Sequence, residues 1–189
     1  MSRVLFTSDL HIGHAKVAGI RLFDSVEGHD AAIAERWREV VRKDDTVWVL
    51  GDIATSSPAK ALALLATLPG RKHLVWGNHD QGHPMNRSAH NAQRRYLDVF
   101  ASVQMAARVK VHGIPVLLSH FPYVGEGDDH TDTPRHTQWR LPDEGQILLH
   151  GHTHMVDQRI HGRQLHVGLD AWGMAPVADS TVFDWIRWM

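Results

Sequence analysis

Short apolar runs alternate with helical periodicity through the first half of the chain. Val4-Leu5-Phe6 is apolar and reaches polar Thr7-Ser8-Asp9 at once, which reads as a buried strand. From about Gly28 to Val41 the period lengthens: Ile33, Trp37, Val40 and Val41 recur at helical spacing, with Arg36, Arg38 and Glu39 between them. Thr46 to Leu50 is β-branched and apolar, a second buried strand that ends at Gly51-Asp52. Ser57-Pro58 reads as an N-cap followed by proline at the first helical position, and Leu62, Leu65 and Leu68 carry that helix to Pro69-Gly70. His73 to Trp76 is a third strand, ending at Gly77-Asn78-His79-Asp80. Strands alternating with helices predict parallel pairing with helices over the faces.

The second half changes character. A helix is predicted over Ser88 to Leu97. Val103 to Val111, a turn at His112-Gly113 and Pro115 to Ser119 read as one antiparallel hairpin. Ile147 to Leu149 is another buried strand. Gln158 to Ile160, a turn at residues 161–163 and Gln164 to Val167 read as a second hairpin, and Thr181 to Trp188 as a final strand. With no repeat, low-complexity tract or linker, residues 1–189 read as a single α/β domain: a mixed β-sandwich flanked by helices.

Composition narrows the function. A chain of 189 residues can bury a sizeable core. A formal net charge of -1 provides no global field for nucleic acid or an anionic membrane. The absence of cysteine removes disulfides, thiol nucleophiles and thiolate metal sites. No apolar run has the length of a membrane span, and no secretory signal is expected, so a cytoplasmic setting is expected. Sixteen histidines are far more than usual for this length, and histidine is both a common metal ligand and an acid near neutral pH.

Placement gives those histidines meaning. Ligands of open sheets bind beyond the carboxyl ends of the strands. Five apolar strands here end in Asp9-Leu10-His11, Gly51-Asp52, Gly77-Asn78-His79-Asp80, Ser119-His120 and Gly151-His152-Thr153-His154. Each cluster alone is weak; five at strand ends are a coherent set of oxygen and nitrogen donors.

This ordered series resembles the calcineurin-like metallophosphoesterase superfamily. The stretch Thr7-Ser8-Asp9-Leu10-His11-Ile12-Gly13-His14 and the ending His166-Val167-Gly168-Leu169-Asp170-Ala171-Trp172 resemble its short bacterial and phage-type branch. The resemblance implies a four-layer αββα sandwich of two mixed sheets flanked by helices, in one metallophosphoesterase domain. It also implies that Asp9, His11, Asp52 and His154 hold one divalent ion and that Asp52, Asn78, His120 and His152 hold a second, with Asp52 shared. A carboxylate can bridge two cations about 3.5–4 Å apart. Nitrogen and oxygen donors suit Mn, Fe, Zn, Co or Ni rather than Mg or Ca, with Mn favoured.

The implied chemistry is attack on phosphorus by a hydroxide bridging the metals, with Asn78 steadying the oxygens that gain charge and His79 protonating the leaving group. Asp80 has two readings, orienting His79 and favouring its protonated form, or serving as a turn residue that caps the next element. His14 either supports the site or packs locally, and His150 is expected to face the sheet. Trp37, Trp48 and Trp76 are expected in the core. In the long segment from Pro122 to Gly145, Arg135, His136 and Arg140 could meet phosphate and Trp139 could stack on a base. The substrate expected is a small nucleotide phosphodiester such as a 2′,3′-cyclic nucleotide. A phosphomonoesterase, a nucleotide pyrophosphohydrolase and a catalytically silent scaffold are the alternatives. A nuclease is not favoured, and a membrane partner is not expected.

Overall fold

A computed structural model describes residues 2–55, 58–125, 135–157 and 162–188. The chain runs β1 (Val4–Thr7), α1 (Ala15–Ile20), α2 (Val26–Val40), β2 (Thr46–Val49), α3 (Pro58–Ala66), β3 (Arg71–Val75), α4 (Ala89–Leu97) and β4 (Ser102–Gln104). It continues through β5 (Ala106–Val111), β6 (Ile114–Ser119), β7 (Ile147–His150), β8 (Gln164–His166), β9 (Val177–Ala178) and α5 (Asp179–Arg187). The first sheet has the order β4-β3-β2-β1-β9 and the second β5-β6-β7-β8. Both are mixed. In the first, β9 is antiparallel to β1 and the remaining pairs are parallel; in the second, β5 is antiparallel to β6 and the remaining pairs are parallel. The α/β architecture of two mixed sheets flanked by helices is the one the sequence implied.

Strand alternation divides the core in two. Leu5, Val47, Val49 and Leu74 point to the face covered by α2, α3 and α4, where they meet Ile33, Trp37, Leu62, Leu65 and Tyr96. Phe6, Leu50 and Val75 point to the other face and pack against Val116, Leu118, Leu149 and Leu165 of the second sheet. Both faces of the first sheet are therefore buried, which is why its strands read as continuous apolar runs. Trp37 and Trp76 are buried, as expected, and half-buried Trp48 stacks on His73 at 4.7 Å. At the start of α2, the Ser25 side chain accepts a hydrogen bond from the Gly28 amide, an N-cap that places the helix start two residues before the predicted Gly28.

Several elements differ from the sequence expectation. The strand predicted from Val103 to Val111 breaks at Met105, and β4 joins the first sheet while β5 joins the second. Alternation continues across the break, so periodicity does not reveal the change of sheet. The predicted strand Thr181 to Trp188 is helix α5, whose Val182, Phe183, Trp185 and Ile186 fall at i, i+1, i+3 and i+4 and form an apolar stripe. Asp179 sits favourably in its first turn. β8 pairs in parallel with β7, through Leu149 and Leu165. Its predicted hairpin partner at 158–160 lies outside the described residues, as does Ser57, the predicted cap of α3. Helix α1 and strand β9 were not predicted.

Candidate metal centre

The loops that follow β1, β2, β3, β6 and β7 meet at one end of the two sheets. Beyond the strands, the Asp9 amide donates to the Gly51 carbonyl at 3.0 Å and the His11 amide to the Asp52 carbonyl at 3.0 Å. The Gly151 amide likewise donates to the His120 carbonyl at 3.0 Å. The two sheets are tied to each other here because the His152 amide donates to both Asp9 carboxylate oxygens, at 3.1 and 3.0 Å. The residues from Asp9 to His154 thus surround one site.

The donor atoms converge in two overlapping groups. Asp9, His11 and His154 form one and Asp9, Asp52 and His120 the other, with the donor atoms of each within 4.8 Å of one another. Asp52 Oδ2 lies 3.8 Å from His11 Nε2 and 3.5 Å from His120 Nε2, so it stands between the two sides. His11 Nε2 and His154 Nε2 are 3.0 Å apart, and His120 Nε2 is 3.0 Å from Asn78 Oδ1. The His152 ring packs against those of His120 and Phe121, with centroids at 5.2 and 5.0 Å. Asp9, Asp52 and His120 are almost wholly buried, whereas the His79 side chain is 46% exposed with Nε2 4.0 Å from Asp52 Oδ2.

Backbone geometry is also unusual at five of these residues. Asp9, His11, Asp52, His152 and His154 all have positive φ, from 46° to 72°. Side chains at such φ cost on the order of 1–3 kcal/mol each and persist where surrounding structure over-determines them. The turn after β2 also requires glycine nearby. A Cβ on Gly77 would strike the Asp52 carboxylate, and one on Gly51 would lie 2.5 Å from the Gly77 amide nitrogen.

The electrostatics call for cations. Burial and the neighbouring Asp9 charge push the Asp52 carboxyl well above the usual carboxylate range. Burial also pushes Asp9 upward, but His154, His166 and His120 more than reverse this and hold it well below that range. Burial pulls the imidazoles of His11, His120 and His152 down, leaving neutral rings with lone pairs to donate. Two adjacent buried carboxylates beside the neutral imidazoles of His11, His120 and His152 form a nitrogen and oxygen donor set, and divalent cations would relieve the repulsion between the carboxylates. The residues present fit such ions.

Other expectations are resolved by position. Both Asp80 oxygens accept backbone amide hydrogens, Oδ2 from Asp52 at 3.0 Å and Gly77 at 2.9 Å, and Oδ1 from Ile53 at 3.0 Å. Asp80 thereby clamps the loop after β3 to the loop after β2. Burial and Asp52 push its carboxyl up to about 7. His14 places its ring 5.8 Å from that of His11, at the rim of the site. His150 is buried against His166 at 5.5 Å, and burial pulls it down to about 3.

In the segment 135–140, His136 reaches the site, with its ring 5.3 Å from that of His152. Trp139 packs edge-on against His83 at 5.1 Å, and Arg140 donates to the carbonyls of Arg135 and Tyr123. Three residues without an assigned role border the ligand set. Buried His166 Nε2 is 3.7 Å from Asp9 Oδ2, Asp170 Oδ2 is 3.1 Å from His154 Nδ1, and Arg21 grips Asp170 at 2.8 Å. His166 and Asp170 lie in the C-terminal block that carried the resemblance. Arg21 had no sequence signal, because it joins the site only through folding.

Comparison with known proteins places this geometry. The profile of the Calcineurin-like phosphoesterase superfamily domain matches residues 2–174. The Gene 66 protein of Mycobacterium phage L5 is 52% identical over 201 aligned positions, covering 99% of this chain and 95% of that protein. The Gene 66 protein of Mycobacterium phage D29 is 52% identical over 183 positions, covering 91% and 90%. A crystal structure of a protein of unknown function from Aquifex aeolicus superposes with a TM-score of 0.70 at 21% identity, covering 97% of this chain and 99% of that one. At that identity the likeness concerns the fold. No helix among the described residues is long and apolar enough to cross a membrane.

Proposed function

The chain belongs to the calcineurin-like phosphoesterase superfamily, and from that premise we propose that it is a two-metal phosphodiesterase acting on small nucleotide diesters, such as 2′,3′-cyclic nucleotides. The observation that carries this reading is Asp52 Oδ2 standing between His11 Nε2 at 3.8 Å and His120 Nε2 at 3.5 Å, with Asp9 in both donor groups. Asp9, His11, Asp52 and His154 would hold one cation, and Asp52, Asn78, His120 and His152 the other. The ions, with manganese favoured, supply Lewis acidity and a water that ionises near neutral pH when they are bound.

The chain's own groups do the remainder. Half-exposed His79 stands at the mouth of a buried donor set, where its Nε2 can give a proton to the departing oxygen. Burial, followed by His120 and His14, lowers its affinity for that proton in the free protein. A phosphate anion beside it works in the opposite direction. The His120 ring donates through Nδ1 to the Leu50 carbonyl at 2.7 Å, so its Nε2 and Asn78 Oδ1, 3.0 Å apart, would present lone pairs to one cation, beside which Asn78 would steady the oxygens that gain charge. Two divalent ions against the Asp9 and Asp52 carboxylates leave a surplus of positive charge, which suits a phosphate ester.

The test is hydrolysis by manganese-reconstituted protein of bis-nitrophenyl phosphate, mono-nitrophenyl phosphate and 2′,3′-cyclic nucleotides. Turnover of both diester types above the monoester is expected. Faster turnover of the monoester would replace the diester reading with a phosphatase, and no turnover of any ester would leave a silent scaffold.

A further inference from the structure

His154 contacts the site with one nitrogen and leans on a carboxylate with the other. Its Nε2 lies 3.0 Å from His11 Nε2 and 3.8 Å from Asp9 Oδ1, while its Nδ1 lies 3.1 Å from Asp170 Oδ2. Asp170 comes from a different segment, the short turn Leu169–Ala171. Arg21 holds it at two points, with Nε donating to Oδ1 at 2.8 Å and a terminal guanidinium nitrogen to Oδ2 at 2.8 Å. The Arg21 side chain is only 5% exposed and that of Asp170 12%. The remaining donors of Arg21 reach back to the loop after β1, at the Asp9 carbonyl (2.7 Å) and the Leu10 carbonyl (3.3 Å), and its guanidinium meets His29 Nε2 at 3.0 Å.

A buried ion pair is a poor device for stability, because desolvating two charges offsets most of their attraction. It is a good device for position. An acceptor on Nδ1 selects the imidazole tautomer whose Nε2 lone pair is available, and it sets the plane of the ring. A guanidinium fork in turn permits one orientation of the carboxylate. The same guanidinium grips the Asp9 and Leu10 carbonyls, so the loop bearing Asp9 and His11 and the loop bearing His154 are referred to a single rigid group.

We propose that Asp170 and Arg21 are positioning residues that orient His154 toward the cation shared by Asp9 and His11, and that this support serves one side of the two-metal site selectively. The proposal rests on the two-metal reading of the site. Neither residue needs to touch substrate. The described contacts of Arg21 and Asp170 run to His154, to His29 and to the Asp9 and Leu10 backbone carbonyls, so the cation beside Asn78, His120 and His152 is expected to keep its side-chain donors when the pair is removed.

The test measures the two manganese affinities separately, by titrating metal-free protein with Mn²⁺ and following free ion by electron paramagnetic resonance. Cobalt-loaded protein provides a second readout, the visible absorption that reports ligand geometry. Asp170→Ala is expected to weaken one manganese site by about 10–100-fold and to leave the other within threefold, with an altered cobalt spectrum. Arg21→Lys keeps the charge but loses the two-point grip, and it is expected to weaken the same site by a smaller factor. If Asp170→Ala does not fold, Asp170→Asn takes its place, with the same single-site weakening expected.

A fall in melting temperature with both affinities and the cobalt spectrum unchanged would mean a merely structural pair and overturn the proposal. Equal weakening of both sites would overturn its selectivity. Wild-type protein that retains no manganese would defeat the two-metal reading, and the positioning role with it. Wild-type protein that binds two ions while Asp170→Ala matches it would defeat the positioning role alone.

Discussion

His79 Nε2 at the mouth of the site lies 4.0 Å from buried Asp52 Oδ2, and the two differ in exposure and therefore in expected role. If His79 gives up a proton without holding a cation, His79→Ala should retain both ions and lose about 10²–10⁴-fold in kcat. The loss should shrink for nitrophenyl esters, whose leaving group needs little protonation; isothermal metal titration beside steady-state kinetics separates the two effects. Asp52 has the opposite signature. Its folded carboxyl holds its proton more tightly than the unfolded one, because burial and Asp9 oppose its charge. At this group the metal-free fold therefore binds more protons than the unfolded chain, and the contribution of Asp52 to stability falls as pH rises from about 4 toward the raised folded value. Asp52→Asn should remove that contribution while weakening both cations. In urea denaturation of chelated protein across pH, the stability of wild type relative to Asp52→Asn should fall as pH rises; parallel profiles would show that the Asp52 charge does not oppose the metal-free fold.

The elements position the site through their ends rather than their interiors. β1, β2 and β3 run parallel, and their following loops lie side by side with little space between them. Gly77→Ala tests this close approach, since its Cβ would meet the Asp52 carboxylate. It should cost on the order of 1–3 kcal/mol of unfolding free energy and reduce metal affinity as well, measured by urea unfolding and manganese titration; an alanine variant equal to wild type in both would mean that the loops have room. The same elements show the reach of pattern reading. Apolar runs ending in polar clusters located β1, β2, β3, β6 and β7, because strands buried on both faces have few alternatives. The predicted strand at 103–111 instead divides between the sheets at Met105, and α5 forms where β-branched and aromatic residues suggested a strand. Local preference favoured extension there, while packing of Val182 and Ile186 into the inter-sheet core favoured the helix.

At the scale of the whole molecule, the site is a joint between two sheets. The Asp9 carboxylate receives the His152 amide across the sheets, and Leu169 donates to the Ser8 carbonyl beside it. Cations bound at that joint should therefore stabilise the entire fold. An ion present at 100 times its dissociation constant adds about 2.7 kcal/mol, roughly 5–10 °C in a chain of this size. Calorimetric melting with manganese and then with excess chelator should show that difference; melting temperatures indifferent to both would exclude a cation that binds the folded form preferentially.

Residue order alone carried the donor types, the five strand ends on which they stand and the α/β class, because apolar runs and their polar punctuation are local properties of a chain. Folding alone chose the partners. It gave the Asp80 oxygens to three backbone amides, placed His166 against Asp9, and brought Arg21 and Asp170 together across 149 positions behind His154. Such pairings depend on which loops become neighbours once the sheets pack, and no local periodicity encodes that distance.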